Sequence, residues 1–275
     1  MTRRHAGLAA LLLHAALLPG ASRAATCYTG AQLAPIAKVE AAEVFVMVDQ
    51  TTALPPSVVA YLRSIVAAVG RPGTRISLFS FSAYTTGQYF QPRGSYFFEA
   101  QPSPSETANI GVQTQRNLRQ CLANQAAVGA RLLGDRLSQI VGPAAVAVYA
   151  NSDIMGSLRQ IGPRLAASHA RSRTLVLVSD MLQNMPGNSF YAKGRLRAID
   201  PGAELRNATA TGQLADLANA TVYIVGAALG GRAPDNQIRT PREINALEQF
   251  WRGYVARSHG RLAQFGTPLP AMPTP

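Results

Sequence analysis

Cysteine and histidine are scarce in this 275-residue sequence, which contains two cysteines and four histidines. Two of the histidines lie near the start of the chain, and the other two, His169 and His259, are far apart in sequence. Zinc sites are built largely from cysteine and histidine, and serine hydrolases use a histidine as general base. The composition therefore gives poor support to a zinc site or to a serine–histidine hydrolase.

Long apolar runs are also lacking, since no stretch reaches the roughly 18 residues that a membrane-spanning helix needs. The longest mostly apolar segment, residues 7–18, follows Arg3 and Arg4 and precedes the small-residue segment 22–24. A basic start, a short apolar stretch and a small-residue cleavage point are typical of a secretory signal peptide. We predict a signal peptide over residues 1–24, a periplasmic or secreted protein and no transmembrane segment in the mature chain; a retained membrane anchor is the alternative.

Acidic residues are few, with 14 against 26 lysines and arginines, and the formal net charge is +12. The charge falls by three, to +9, when the three arginines of the predicted signal peptide are removed. The basic residues are scattered without a run of five, and aromatic residues do not interleave with them as in a strand-binding surface. We therefore expect no nucleic-acid partner, and a general attraction to acidic components of the cell envelope.

The two cysteines, Cys27 and Cys121, both lie in the predicted mature chain. In an oxidising compartment such a pair usually forms a disulfide. We predict a Cys27–Cys121 bond, which would tie the start of the mature chain to a distant segment. Two unrelated free thiols are the alternative.

Strand patterns and helical patterns alternate along the mature chain. Strand patterns cover 44–48, 75–81, 146–149, 174–178 and 221–225, and helical patterns cover 55–69, 114–140, 154–170 and 241–255. A ragged edge hairpin or a short edge strand is expected within 88–98, a polar loop over 181–207 and a short helix over 213–218. This alternation predicts an α/β fold, with a mainly parallel sheet and helices on both faces.

Carboxylate and hydroxyl side chains follow the predicted strands at three places. They are Asp49-Gln50-Thr51 after the first strand, Ser152-Asp153 before a helix, and Ser179-Asp180 after residues 174–178. Ligands of parallel sheets bind beyond the carboxyl ends of the strands, and oxygen-only ligands suit Mg²⁺. Taken singly, the first two groups are better explained as helix N-caps than as ligands. Asp180 is harder to explain in that way, because no clear helical pattern follows it.

The order of these three motifs resembles the von Willebrand factor type A domain over about residues 43–260. That family holds a metal ion with an Asp-x-Ser-x-Ser segment, a threonine on a second loop and an aspartate on a third. The resemblance implies a Mg²⁺ site with these candidate residues: Asp49, Thr51, Ser152, Asp153 and Asp180. Ala53 departs from the pattern, because it stands where the family has its second serine. One hydroxyl ligand is therefore missing, which should weaken ion binding.

The resemblance also implies the fold and its limits. The expected fold is a Rossmann-like three-layer αβα sandwich whose central sheet has about six strands, mainly parallel, with one antiparallel edge strand. The predicted division is a signal peptide (1–24), an N-terminal segment (25–42), a type A-like domain (43–262) and a proline-rich tail (263–275). The tail should be disordered or extended.

The function that this pattern favours is an exported, non-catalytic module of the adhesion type, which binds an unknown protein partner through a Mg²⁺-dependent site. The main alternative is a metal-free scaffold or assembly component of the cell envelope. Its contact surface would be the aromatic segment with Tyr89, Phe90, Tyr96 and Phe97, unless these residues only belong to an edge strand packed under a loop. A second alternative is a periplasmic phosphohydrolase that uses Asp49. That chemistry usually needs a second acid two residues later, where this chain has Thr51.

Overall fold

The structure, a computed structural model, describes residues 26–31, 33, 40–51, 54–82, 89–141, 151–192, 195–229, 240–266 and 268–275. The predicted signal peptide, the predicted strand 146–149 and Ala53 lie outside the described residues.

Six strands form one mixed sheet through the middle of the domain. They are β1 (Ala42–Asp49), β2 (Thr74–Phe81), β3 (Phe90–Phe97), β4 (Ser172–Val178), β5 (Thr221–Val225) and β6 (Arg261–Gly266). Their order across the sheet is β6-β5-β4-β1-β2-β3. The edge strand β3 pairs antiparallel with β2, whereas the other four pairings are parallel. The predicted sheet of about six strands with one antiparallel edge strand is confirmed.

Helices cover both faces of this sheet. They are α1 (Cys27–Gly30), α2 (Pro56–Val69), α3 (Pro104–Thr107), α4 (Val112–Ile140), α5 (Ile154–Ala167), α6 (Pro201–Ala210) and α7 (Pro241–Arg257). Strand β1 shows why two layers of helices are needed, because its side chains alternate between two hydrophobic cores. Phe45 and Met47 join a core with α5 and α7, while Val44 and Val46 join a core with α2 and α4. The three-layer αβα sandwich is thereby confirmed.

The segment after β4 differs from the sequence prediction of a polar loop over 181–207. It contains two short hairpins, Asn184–Met185 with Asn188–Ser189 and Tyr191–Ala192 with Arg195–Leu196, followed by α6. Helix α6 starts at Pro201 because the side chain of Asp200 caps it, accepting a hydrogen bond from the Ala203 N–H at 3.0 Å. The prediction of a helix over 213–218 was wrong, because the chain has no regular secondary structure there.

The predicted disulfide between Cys27 and Cys121 is present, with the two Cα atoms 5.6 Å apart. It joins α1 to the long helix α4. Around it a small apolar cluster forms, in which Tyr28 packs with Leu118 and Leu122. The bond therefore fastens the first described residues of the chain to a helix 94 residues later.

The C-terminal segment lies against the second core. Strand β6 runs to Gly266, four residues past the predicted end of the domain at residue 262. Beyond it, Leu269 is buried against the core formed by α2 and α4, and its N–H donates to the Tyr61 hydroxyl at 3.2 Å. Thr274 is held between two strands, because its carbonyl accepts from the Thr174 hydroxyl at 3.2 Å and its N–H donates to the Tyr223 hydroxyl at 3.4 Å. Residues 268–275 thus cover part of the sheet face in an irregular course.

Replacing Leu269 with serine is expected to lower the free energy of unfolding by about 2 kcal/mol, because a buried side chain would be exchanged for a small polar one. Urea denaturation followed by circular dichroism measures the change. Met272→Ser in the same segment is the matched control, since Met272 is 44% exposed. We expect it to change stability by less than about 0.5 kcal/mol. Equal, negligible effects of the two substitutions would mean that the tail does not contribute to the core in solution.

Candidate ligand site at the carboxyl ends of the strands

The point where the strand order reverses lies between β1 and β4. From β1 the chain continues to β2 and β3 on one side, and it then crosses to β4 on the other side. The loops that leave β1 and β4 therefore diverge, and such a crevice is where open α/β sheets bind ligands. Asp49 is the last residue of β1, and Ser179 and Asp180 follow directly after β4.

Asp49 gathers hydroxyl groups from all three predicted strand ends. Its Oδ1 accepts from the Thr51 N–H at 2.8 Å and from the Thr51 hydroxyl at 2.6 Å. Its Oδ2 accepts from the Ser152 hydroxyl at 3.0 Å and from the Ser179 hydroxyl at 2.8 Å. The side chains of residues 49, 51, 152 and 179 therefore form one cluster, although more than a hundred residues separate its ends. Ser179 was not among the predicted site residues, although its position next to Asp180 after a buried strand was the available signal.

The carboxylate of Asp49 is buried, with 1% of the residue exposed. Burial raises the pKa of Asp49 above its ordinary value, whereas the hydrogen bonds from Thr51, Ser179 and Ser152 oppose that rise. The four hydrogen bonds come from neutral groups, so they offset only part of the cost of removing a negative charge from water. Such an environment favours the addition of positive charge, either as a proton on Asp49 or as a nearby cation.

The hydroxyl groups around Asp49 are oriented as potential ligands. A serine or threonine hydroxyl has one proton and two lone pairs. Because Thr51, Ser152 and Ser179 each donate that proton to Asp49, their oxygens can act only as acceptors towards anything else. The Ser179 oxygen already accepts from the Met181 N–H at 3.0 Å. The cluster thus offers oxygen lone pairs, which suit a hard cation such as Mg²⁺.

Asp180 directly follows Ser179 of this cluster at the end of β4, and 7% of the residue is exposed. Its Oδ1 accepts from the Leu182 N–H at 2.9 Å, and its carbonyl accepts from the Ala228 N–H at 3.0 Å. The loop after β5 therefore holds the backbone of the third strand end in place. The next residue, Met181, has a φ of 65°, which is the left-handed region that favours glycine.

Asp153 belongs to a different cluster from its neighbour Ser152. Its Oδ1 caps α5 by accepting from the Gly156 N–H at 2.9 Å and also accepts from the Gln183 amide at 3.0 Å. Its Oδ2 accepts from the Tyr89 hydroxyl at 2.7 Å. Burial, followed by this hydrogen bond, raises the pKa of the Tyr89 hydroxyl. The Asp153 carboxylate thus has three partners as a helix cap, and its role as a metal ligand stays a prediction.

Gln183 lies next to this site, in the loop after β4, and was not predicted from the sequence. It is 1% exposed, and its Oε1 accepts from the N–H groups of Ile154 at 2.8 Å and Met155 at 3.1 Å. Together with its bond to Asp153, it connects the loop after β4 to the N-terminus of α5. A glutamine within the otherwise apolar start of a loop was the only signal in the sequence.

Comparisons with known proteins add similarities in fold. No family model matches the sequence, and no curated protein matches it. Solved structures that are similar include an aerotolerance-related membrane protein from Bacteroides fragilis, at 10% identity and a TM-score of 0.35, over 80% of this chain and 90% of that one. BatB from Bacteroides thetaiotaomicron is similar at 8% identity and a TM-score of 0.33, over 82% of this chain and 91% of that one.

The von Willebrand factor domain of the type V pili tip protein Mfa5 from Porphyromonas gingivalis is similar at 15% identity and a TM-score of 0.30, over 63% of this chain and 51% of that one. The assignment rests on the sheet order with its antiparallel edge strand and on the convergence of the strand ends at Asp49. The fold is von Willebrand factor type A-like.

A metal ion in this type A-like domain would depend on hydroxyl groups. Within the described ranges, no group of three or more histidine, cysteine, aspartate or glutamate side chains comes together in a way that could hold a metal. The candidate set of Asp49, Thr51, Ser152 and Asp180 supplies two carboxylates and two hydroxyls. It therefore fits a weakly held Mg²⁺ that keeps several waters better than a transition metal.

The aromatic side chains of the edge strand β3 are partly buried and make contacts within the domain. Phe90 stacks on Phe79 with ring centres 5.3 Å apart. The Tyr96 hydroxyl donates to the Gln125 carbonyl at 3.2 Å, and the guanidinium of Arg75 lies 5.3 Å from the centre of the Phe97 ring. These contacts agree with an edge strand packed against neighbouring elements, and a role as a partner surface stays a prediction.

In the part of the chain that the structure covers, none of the helices has the length and apolar character needed to cross a membrane.

Proposed function

We propose that this protein is an exported, non-catalytic binding module that recognises a protein partner at the carboxyl ends of β1 and β4. The observation that carries this proposal is the buried carboxylate of Asp49, which draws together hydroxyl groups from three separate segments at the reversal point of the sheet. A carboxylate held there at a cost in solvation is better explained by a binding role than by stability. The Cys27–Cys121 disulfide supports a location in an oxidising compartment.

The finer proposal is that Mg²⁺ mediates this recognition. Thr51 and Ser152 would contribute hydroxyl oxygens to the ion, Asp180 would contribute a carboxylate, and Asp49 would orient the hydroxyls and balance the charge. An ion with so few protein ligands leaves positions for an acidic group of the partner. The sequence position of Ala53 removes a further hydroxyl, so we expect binding in the millimolar rather than the micromolar range.

Arg93 supports an acidic partner. Its Nε donates to the Ser80 hydroxyl at 2.6 Å near the end of β2, and its guanidinium reaches the Gln50 side chain at 3.4 Å. A fixed guanidinium beside the residue that follows Asp49 would attract a carboxylate towards this edge of the sheet. The net charge of +12 acts in the same direction over a longer range.

Isothermal titration calorimetry with Mg²⁺ and Mn²⁺ tests whether the mature protein binds the ion. The melting temperature is measured without metal and with metal at 10 times the dissociation constant. We expect a saturable heat and a stabilisation of about 1.4 kcal/mol at that excess. Asp180→Ala is expected to abolish both, because one of the two carboxylates is lost. Asp216→Asn is the matched control, since this exposed acid precedes β5 at the opposite end of the strands.

Two results would contradict the proposed ion. The first is an absence of heat and of any melting shift for the unchanged protein at millimolar metal. The second is an equal shift for the unchanged protein and for Asp180→Ala, which would place any bound metal elsewhere.

A metal-free scaffold is the second candidate, and one observation favours it. The carboxylate of Asp49 already accepts four hydrogen bonds from the protein, so the cluster is complete without an ion. Capture of an envelope partner by the immobilised protein, with and without a chelator, separates the two candidates. Capture that survives chelation and Asp180→Ala but is lost with Phe97→Ala supports the scaffold.

The geometry does not favour the phosphohydrolase alternative. Asp49 is 1% exposed and each of its oxygens accepts two hydrogen bonds, so a nucleophilic attack would first have to break this cluster. A generic phosphatase assay of the protein and of Asp49→Asn tests it, and turnover that depends on Asp49 would restore the enzyme hypothesis.

A further inference from the structure

We propose that Trp251 is a positioning residue for the third strand end. Its indole N–H holds the Met181 peptide in a left-handed conformation, and this conformation sets the course of the chain through Ser179 and Asp180. The inference builds on the proposed function, because it concerns the same site. It assigns to a residue of α7 a role beyond its place in the hydrophobic core.

Met181 is the strained position. Its φ is 65°, and the residue is completely buried. Glycine adopts this region readily, whereas residues with a side chain do so rarely and at a cost. A buried methionine therefore stays there only because its surroundings hold it.

The hydrogen bond from Trp251 supplies that restraint. The indole Nε1–H donates to the Met181 carbonyl at 2.9 Å, and both residues are buried. The indole itself is fixed by aromatic neighbours, with ring centres 5.0 Å from Phe250 and 5.2 Å from Tyr254. Because this is the only tryptophan in the chain, no other indole can take its place.

The restraint reaches Asp49 through two further hydrogen bonds. The Met181 N–H donates to the Ser179 hydroxyl oxygen at 3.0 Å, and that hydroxyl donates to Asp49 Oδ2 at 2.8 Å. If Met181 moved to negative φ, its carbonyl would turn relative to its N–H. Trp251 and Ser179 could then not both keep their bonds to this residue. The left-handed conformation therefore couples α7 to the hydroxyl cluster.

A glycine rescue separates positioning from packing. Trp251→Phe keeps a ring in the core but removes the N–H, so Met181 should leave the left-handed region. Glycine at position 181 needs no restraint to stay in that region. If Trp251 acts through the Met181 backbone, its substitution should therefore have little effect in a Met181→Gly background. If Trp251 only fills space, glycine at position 181 cannot compensate.

The readout is hydrogen exchange in the full-length protein without metal, at the amides of Leu182 and Ala228, which bond to Asp180. We expect Trp251→Phe to accelerate their exchange at least 10-fold relative to core amides of β1. In the Met181→Gly background the same substitution should accelerate it less than twofold. Tyr254→Phe is the matched control, because it removes one hydrogen bond, to the Gln213 carbonyl at 2.7 Å, from the same aromatic cluster. It should leave both amides unchanged.

Two results would overturn the proposal. One is equal exchange of the Leu182 and Ala228 amides in Trp251→Phe and Tyr254→Phe. The other is an acceleration by Trp251→Phe that is as large in the Met181→Gly background as in the unchanged protein. If Trp251→Phe does not fold, Met181→Val tests it with the indole intact, because a β-branched residue tolerates positive φ poorly. The expected result is the same local acceleration, and unchanged exchange would overturn the inference.

Mg²⁺ calorimetry on the same proteins then measures ion binding separately. A protein without Mg²⁺ binding but with the glycine rescue would refute the proposed ion and retain the positioning role.

Discussion

Replacing Asp49 with asparagine is expected to abolish Mg²⁺ binding and to raise the melting temperature of the metal-free protein at neutral pH. Asparagine has the same shape but carries no charge, so the solvation cost of the buried carboxylate disappears. Neutral replacement of buried charged groups often stabilises a protein by about 1–4 kcal/mol. At about 1–2 kcal/mol here, the melting temperature of a domain of this size should rise by roughly 2–8 °C.

The hydrogen bonds around Asp49 can adapt to the amide. The oxygen of asparagine can still accept from the N–H and hydroxyl of Thr51. The amide nitrogen would face the hydroxyls of Ser152 and Ser179, which now donate to Asp49 Oδ2. A hydroxyl can rotate and accept instead of donating, so both can pair with the nitrogen. Each hydroxyl then uses one lone pair for the amide, so the cluster offers an ion fewer lone pairs and no carboxylate charge to balance it.

The stability difference between the two proteins should depend on pH. Because burial raises the pKa of Asp49, the folded state binds a proton at pH values where the unfolded state has lost it. The contribution of Asp49 to stability is therefore fully present below the unfolded-state pKa and is lost as the pH rises through the folded-state pKa. The melting temperatures of the unchanged protein and of Asp49→Asn should agree at acidic pH and separate as the pH rises.

Asp49→Ala is the informative contrast, since it leaves the partner hydroxyls and the Thr51 N–H without an acceptor. We expect it to lower the free energy of unfolding by about 3 kcal/mol, because unsatisfied buried groups cost about 1–3 kcal/mol each. Differential scanning calorimetry from pH 4 to 8 measures the melting temperatures of the unchanged protein, of Asp49→Asn and of Asp49→Ala. A lower melting temperature for Asp49→Asn at every pH would show that the carboxylate stabilises the domain and would weaken the functional interpretation.

The strand ends at Asp49 and Asp180 were predictable from sequence because β1 and β4 are continuous apolar runs. Such runs occur in strands that are buried on both faces, and parallel strands deliver their carboxyl ends to the same edge of a sheet. Ser152 could be added through the resemblance to type A domains, although its own strand pattern, 146–149, lies outside the described residues. The expected convergence of Asp49 and Ser152 rests on these long-range rules.

The separation of Ser152 from Asp153 could not be predicted from sequence. Ser152 forms an isolated β-bridge with Asn184, with hydrogen bonds of 3.1 and 2.8 Å between their backbones. Neighbouring residues in extended chain point to opposite sides, so Ser152 reaches Asp49 while Asp153 turns to Tyr89 and Gln183. The partner of the bridge is more than thirty residues away, and no local pattern identifies it.

Trp251 illustrates the same limit. It lies in the predicted helical segment 241–255, and Phe250 and Tyr254 at helical spacing around it are buried as well. Its hydrogen bond to Met181 depends on the backbone conformation of a loop 70 residues earlier. A methionine carries no sequence signal for positive φ, because that region normally selects glycine or asparagine. The pattern of apolar residues therefore identifies the core but not the restraint that the core places on the site.

Removing the disulfide with Cys27→Ser and Cys121→Ser is expected to lower the free energy of unfolding by about 2–4 kcal/mol. The bond closes a loop of 94 residues that contains β1, β2, β3 and α2. The chain-entropy estimate for such a loop is about 4.6 kcal/mol, and measured values are usually smaller because unfolded chains retain structure. In a domain of this size the loss corresponds to a fall in melting temperature of roughly 4–16 °C.

A reducing agent provides the matched control for this prediction. It should lower the melting temperature of the unchanged protein by a similar amount and should leave the double serine variant unaffected. The hydroxyl cluster at Asp49 lies on the sheet, whereas the disulfide joins α1 and α4, so metal affinity at a temperature where both proteins are folded should not change. Thiol titration that finds two reactive cysteines in the oxidised, folded protein would contradict the bond. An unchanged melting temperature in reductant, with both thiols shown to be reduced, would mean that α1 and its small apolar cluster hold the start of the chain without it.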